Sequence, residues 1–153
     1  MKETVALWML LPLRLFVGES LVRAGLGKIV NRWLTDAGLE LTINGWLAHE
    51  KPAHFYQGFL RDVVVPHYHL FAWLIVVGEI SVGCAMLLGL FTRPAAVVGL
   101  FMTLNFYLGQ GETLTANTSA AYLAMLLTLA IVPAGRALGA DAFLKGKVPR
   151  WLS

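Results

Sequence analysis

One cysteine, Cys84, is all that the chain contains. A lone thiol excludes an intrachain disulfide and any CxxC redox pair, so this chain cannot carry out dithiol chemistry by itself. Charge is scarce as well. Only 14% of the residues are Asp, Glu, Lys or Arg, against about 25% in an average soluble domain. Mean hydropathy is +0.68, and the balance describes a single integral membrane domain over residues 1–153. No flavin, haem or iron–sulfur motif can be read, and neither can an internal repeat. There is no nucleic-acid footprint. The net charge of +3 fits a basic cytoplasmic edge lying against the anionic lipid of the bilayer.

What is present is apolar sequence in long runs. An α-helix needs roughly 20 apolar residues to cross a bilayer, and residues 4–30, 68–91, 94–109 and 117–134 read as four such spans. The first run carries Arg14, Glu19 and Arg23 and lacks an early cleavage site, so it is expected to be a retained helix and not a signal peptide. Pro12 is expected in its second or third turn, as a kink. Residues 31–67 form a long outer connection. Within it Phe55, Tyr56, Phe59, Leu60, Val63 and Val64 recur at three- and four-residue spacing, which predicts an amphipathic helix lying over the bundle as a lid and ended by Pro66. Thr92-Arg93-Pro94 reads as a tight turn between the second and third spans. Gly109 to Thr115 reads as a short polar loop. The expected fold class is all-α: an integral membrane four-helix bundle with an extra amphipathic surface helix between helices 1 and 2.

Lys and Arg set the orientation. Lys2, Arg93, Arg136, Lys145, Lys147 and Arg150 gather on one side of the four spans, and the short loop on the other side holds neither Lys nor Arg. Cytoplasmic loops carry the positive excess. Both termini are therefore expected in the cytoplasm, in a multi-pass protein of the cell membrane.

The acid inside the second span, Glu79, is the residue that needs explaining. Inserting a charge at the bilayer centre costs about 3 kcal/mol on insertion scales, so it needs a partner or a proton. Counted at 1.5 Å per residue, Glu19 and Glu79 both lie ~18 Å from the inner edge, with Arg14 ~7 Å below Glu19 and Arg23 ~6 Å above it. Glu19 and Arg23 are four apart and share a face. The set Arg14, Glu19, Arg23 and Glu79 can be neutral as a group. It reads either as an ion-pair network fixing helix register or as a polar pocket for a redox headgroup or proton relay. A quinone site needs donors and a proton carrier in an apolar cleft. In that second reading Glu79 and Glu19 are the catalytic proton carriers, and Arg14 and Arg23 bind the quinone. Asn105 is either a further hydrogen-bonding group of that site or a link between helices.

Other polar groups carry less. His49, His54, His67 and His69 lie on the outer side with no diagnostic ligand spacing, so no metal site is expected. Cys84 reads as a small buried packing residue. The small residues Gly78, Gly83 and Gly89 permit close helix association, a homo-oligomer included.

The pieces Leu13-Arg14-Leu15 through Gly18, Gly25-Leu26-Gly27-Lys28, Gly78-Glu79, Leu87-Leu88-Gly89-Leu90-Phe91-Thr92-Arg93, Leu104-Asn105-Phe106 and Gly135-Arg136 with Gly139, Asp141 and Leu144 resemble, in that order, the DoxX/DoxD family of small four-helix membrane proteins. Phe55 to Pro66 looks like the DoxD type, the membrane subunit of thiosulfate:quinone oxidoreductase. The resemblance implies a four-helix membrane subunit working with quinone as cofactor and with a partner redox subunit. Other members of that family are similar in fold but act as non-catalytic partners of redox and detoxification proteins.

Overall fold

The order of elements follows the apolar runs closely. The computed structural model describes residues 7–111, 118–144 and 149. Helix α1 spans Leu11–Val30, α2 Gly38–Ala48, α3 His54–Phe59, α4 Tyr68–Leu88, α5 Thr92–Gln110, α6 Thr118–Ile131 and α7 Asp141–Leu144. A π-helical turn, Leu60–Val64, continues α3, and a 3-10 turn, Ala134–Arg136, precedes α7. No strand occurs among the described residues. Helix α1 packs on α4, α4 on α5 and α5 on α6, and α6 returns to α1, so the four longest helices form a closed ring.

Several boundaries differ from the expectation, each for a local reason. Pro12 lies in the first turn of α1, where a missing N–H breaks no helical bond, so it starts the helix instead of kinking it. Gly89 adopts the left-handed conformation at φ +64° and ends α4 three residues earlier than expected. The turn is Gly89–Phe91, and Thr92, Arg93 and Pro94 already belong to the first turn of α5. The outer connection holds two helices where one was expected. Helix α2 begins after Ala37, a left-handed residue with no capping side chain, so no start signal marks it. Lys2, Glu3, Lys145, Lys147 and Arg150, and most of the loop before α6, lie outside the described residues.

Packing divides into two clusters. Val17, Val82, Met86, Ala96, Leu126 and Leu129 fill the ring toward the α4–α5 turn. Leu39, Ile43, Leu60, Val64 and Ala72 bind α2 and α3 onto the other end of α4. The α3 segment is a lid, as expected, but only Leu60 and Val64 of its apolar set are buried, while Phe55 and Val63 face outward.

Helix α4 alone among the described helices is both long and apolar enough to cross a membrane by length and composition, and only a third of its most apolar stretch is buried. Leu70, Trp73, Leu74 and Val77 of α4 and Val97, Val98 and Phe101 of α5 all point outward. A core helix of a soluble protein hides such residues, and contiguous apolar surface of this extent marks a lipid-facing or protein-facing side. Cys84 also lies on the outer side of α4, exposed and not buried as expected. Helices α1 and α4 cross closely at Gly18 and Gly83. A Cβ on Gly83 would stand 2.8 Å from both Gly18 O and Val22 N, and one on Gly18 3.0 Å from Gly83 O. These two obstacles are backbone and cannot swing away, and Val22 Cγ2 stands at 2.7 Å beside them. Gly83→Val is expected to separate the two helices and cost about 1–3 kcal/mol by overpacking, read as a lower unfolding temperature in detergent. An unchanged melt would show that the crossing is looser than described.

Candidate functional site

Glu79 is buried, and its partner is Lys28. The Lys28 ammonium donates to both carboxylate oxygens at 2.7 Å. Side-chain direction explains why the depth count pointed elsewhere. Every Cα–Cβ bond of a helix tilts toward that helix's own N-terminus. Helices α1 and α4 are antiparallel, so the Lys28 side chain leans back along α1 while Glu79 leans the opposite way, and the two meet. Gly25 opens the space, since a Cβ there would lie 3.4 Å from Glu79 Cβ and 2.7 Å from Ile80 Cγ1. The ammonium also lies 5.5 Å from the Trp33 ring centre and 5.7 Å from that of Phe106, so aromatic faces complete its shell.

Arg14, Glu19 and Arg23 do not join that pair. Arg14 is buried near the opposite end of α1, where its Nη1 donates at 3.1 Å to the carbonyls of Ala134 and Ala137. Beside it lies Asp141, fully buried, whose carboxylate accepts from Phe91 N at 2.7 Å, Thr92 N at 3.0 Å and Thr92 Oγ1 at 2.9 Å. Asp141 thereby supplies from far along the chain the acceptor that the N-terminus of α5 lacks locally. Glycine makes this joint possible: a Cβ on Gly135 would fall on Asp141 Oδ2 and Thr92 Oγ1, and one on Gly139 on the Gly135 carbonyl. Gly89, which meets Arg14 Nη1, and Gly83, which meets Val22, are likewise occupied inside the chain. Glu19 and Arg23 pair with each other on the outward face of α1, Arg23 Nε donating at 2.7 Å.

A cavity of about 330 Å³ lies between α2, α3, α4 and α5. Its wall is apolar and aromatic, from Ile43 and Trp46 through Phe59, Leu60 and Phe71 to Met102 and Phe106. Tyr56 and Asn105 place a polar edge on it. The Tyr56 hydroxyl donates to Asn105 Oδ1 at 2.6 Å, and Asn105 Nδ2 donates to Phe101 O at 2.7 Å. Burial pushes the Tyr56 phenol pKa up, so the hydroxyl remains a neutral donor. The wall includes the π-helical turn, whose Val65 N–H reaches back to Leu60 O at 2.9 Å. Such turns often mark functional positions. Gly78, next to Glu79, and Phe106, beneath Lys28, are shared between cavity and ion pair. Of the sequence candidates, then, Glu79 and Asn105 stand at the cavity or directly behind its wall, whereas Arg14, Glu19 and Arg23 line no part of it.

Sequence reasoning missed Lys28, Tyr56 and Asp141 as site residues. Lys28 was legible as the only Lys in the first apolar run, but its position near the end of that run assigned it to the outer surface. Among the described residues, no three His, Cys, Asp or Glu side chains come together as metal ligands.

The DoxX family model matches residues 9–109, which covers α1 to α5, the ion pair and the cavity but not Asp141. No curated protein matches the chain, and no solved structure does.

Breaking one side of a buried ion pair leaves an uncompensated charge and costs about 3–5 kcal/mol, whereas replacing both sides by apolar groups is often neutral. Lys28→Met is therefore expected to destabilise strongly, and Lys28→Met with Glu79→Leu to recover most of the loss. Equal losses in single and double variants, measured by unfolding in mixed micelles, would mean that the two side chains are not coupled.

Proposed function

The chain belongs to the DoxX family and is accordingly membrane-associated; from this premise we propose that it is a multi-pass subunit of the cell membrane that passes electrons from a partner redox subunit to quinone, in a complex of the thiosulfate:quinone oxidoreductase type. In this reading α1, α4, α5 and α6 cross the bilayer, α2 and α3 cover its outer side, and both termini are cytoplasmic. The observation that carries the proposal is the cavity, with Tyr56 and Asn105 at its edge and the Lys28–Glu79 pair behind its wall.

The residues present fit a quinone headgroup. The volume of about 330 Å³ falls in the range of small-ligand pockets, which are mostly apolar with a few placed polar groups. Flat aromatic faces at Phe59, Phe71 and Phe106 suit a planar ring. When bound, quinone supplies a two-electron, two-proton acceptor. Asn105 has two amide hydrogens, one of them given to Phe101 O, and the other is suited to a ring carbonyl. Tyr56 holds the amide in that orientation. Glu79 is the one carboxylate directly behind the wall and the natural proton store, with Lys28 keeping it in place. Arg14 and the Glu19–Arg23 pair have no part in this site.

A second reading is favoured by the closure of the charges: Glu79 has both oxygens satisfied by Lys28, as a purely structural pair would. The chain is then a non-catalytic scaffold or partner subunit of a redox or detoxification complex. A short-tailed ubiquinone titrated into purified protein, followed by tryptophan quenching, separates the two. Quinone binding predicts that Asn105→Leu and Tyr56→Phe each weaken affinity by about 3- to 10-fold, the effect of one hydrogen bond. Glu79→Gln is expected to slow quinol formation by the assembled complex while leaving binding intact. Undiminished affinity in the Asn105 and Tyr56 variants, together with a Glu79→Gln change confined to thermal stability, would decide for the scaffold.

A further inference from the structure

The cavity between α2, α3, α4 and α5 is not closed on every side. Leu74 of α4 and Val98 and Phe101 of α5 line it, yet these three residues keep 58%, 49% and 66% of their surface exposed. A side chain that is both wall and exterior stands at a mouth. The mouth is a slot between α4 and α5, and it opens on the apolar outer side of the bundle. At the slot Met102 lies over Gly78, where a Cβ would stand 2.8 Å from the Met102 Sδ. An unbranched thioether with three rotatable bonds yields to a passing group more readily than a branched side chain does. Among the described residues no Asp, Glu, Lys or Arg lines the cavity, and its polar edge is the neutral pair Tyr56 and Asn105.

We propose that this slot is a lateral portal from the bilayer, admitting an amphiphile whose uncharged planar head lodges at Asn105 while its apolar tail stays between α4 and α5 and runs out into lipid. The inference rests on the quinone reading above and concerns the same cavity. Depth gives the direction. Asn105 lies seven residues beyond Val98 on α5, which at 1.5 Å per residue sets it ~10 Å nearer the outer surface. A molecule of the outer leaflet has the same polarity, with its head toward water and its tail toward the midplane. It therefore slides in sideways without turning over. Charge selects the head. A carboxylate or phosphate in this cavity would find no cation, because the ammonium behind the wall, Lys28, is already engaged by both oxygens of Glu79. Burying an unpaired charge is far more costly than burying a carbonyl that receives a hydrogen bond. Fatty acids and phospholipids are thereby refused, and a lipid-soluble quinone is accepted.

The test uses full-length protein in lipid nanodiscs and a benzoquinone whose decyl tail ends in a photoreactive diazirine. After illumination, label mapped by mass spectrometry is expected on Leu74, Val98 and Phe101. Excess decylquinone without the diazirine should remove most of it, whereas label on Leu127 and Ile131, exposed on α6, persists as lipid background. The same tail on a carboxylate head should give no competed label at the slot. Val98→Trp, which fills the mouth, should slow association from lipid roughly fivefold in stopped-flow quenching, as an obstructed entry does. Val63→Trp, on the outward face of the lid, should leave that rate unchanged. Both side chains are partly exposed, so the larger ring disturbs no core. Competed label on α2 or α3 instead, or an unslowed Val98→Trp, overturns lateral entry. Equal competition for the carboxylate probe overturns the choice of head. No competed label, while short-tailed ubiquinone still quenches tryptophan in an Asn105-dependent way, overturns the portal and leaves the quinone site standing. Loss of both signals removes site and portal together.

Discussion

A charged group that leaves water must find its counter-charge or a full set of hydrogen bonds, and this chain carries four such groups in α1 and one in α4. Each is held differently, and only the Arg14 Nε stays buried without a hydrogen bond among them. Lys28 and Glu79 satisfy one another across two helices, Arg14 takes two backbone carbonyls, and Glu19 and Arg23 pair along one helix. The first two arrangements fix geometry. Lys28–Glu79 pins the rotation of α1 against α4, and Arg14 ties the start of α1 to the segment after α6. Ion pairs of this kind are modest contributors to net stability and effective specifiers of register. The close crossing at Gly18, Gly25 and Gly83 then follows, because the two helices are held where only glycine fits.

That fixed crossing shapes the cavity. With α4 held by α1 on one side, α2 and α3 pack across its N-terminal end through Leu39, Ile43, Leu60 and Val64. They leave open the space toward α5. The π-helical turn aims Leu60 and Val64 at that space, and Tyr56 bridges from α3 to Asn105 on α5. The result is an apolar chamber with one polar edge and a carboxylate behind its wall. A helix bundle places its ligand sites in such positions, between facing helices.

Much of this was legible in the sequence where a signal is local. Long apolar runs gave α4, α5, α6 and the end of α1 to within three residues, and three- and four-residue spacing gave α3. Glu79 stood out because an acid within an apolar run has few explanations. The remainder depended on quantities that a linear reading does not contain. Lys28 was passed over because depth was counted at Cα, whereas long side chains reach a turn back along their helix. Helix α2 was passed over although Leu39, Ile43, Trp46 and Leu47 keep helical spacing, because no cap announces its start. Asp141 lies 49 residues from the hydroxyl it accepts from, beyond any pattern of spacing. Cys84 was expected inside because cysteine usually is, yet in a chain bounded by lipid an apolar exterior is as welcoming as an apolar core.

The joint made by Asp141 also bears on the order in which the molecule comes together. The free N–H groups at the start of α5 find their acceptor in a residue that the ribosome supplies only after α6. Until then the α4–α5 hairpin has no carboxylate at its turn, and Arg14 has no carbonyls to hold. Closure of that end is a late event of biogenesis, a latch that engages when residues 134–141 dock and that joins helices synthesised long before.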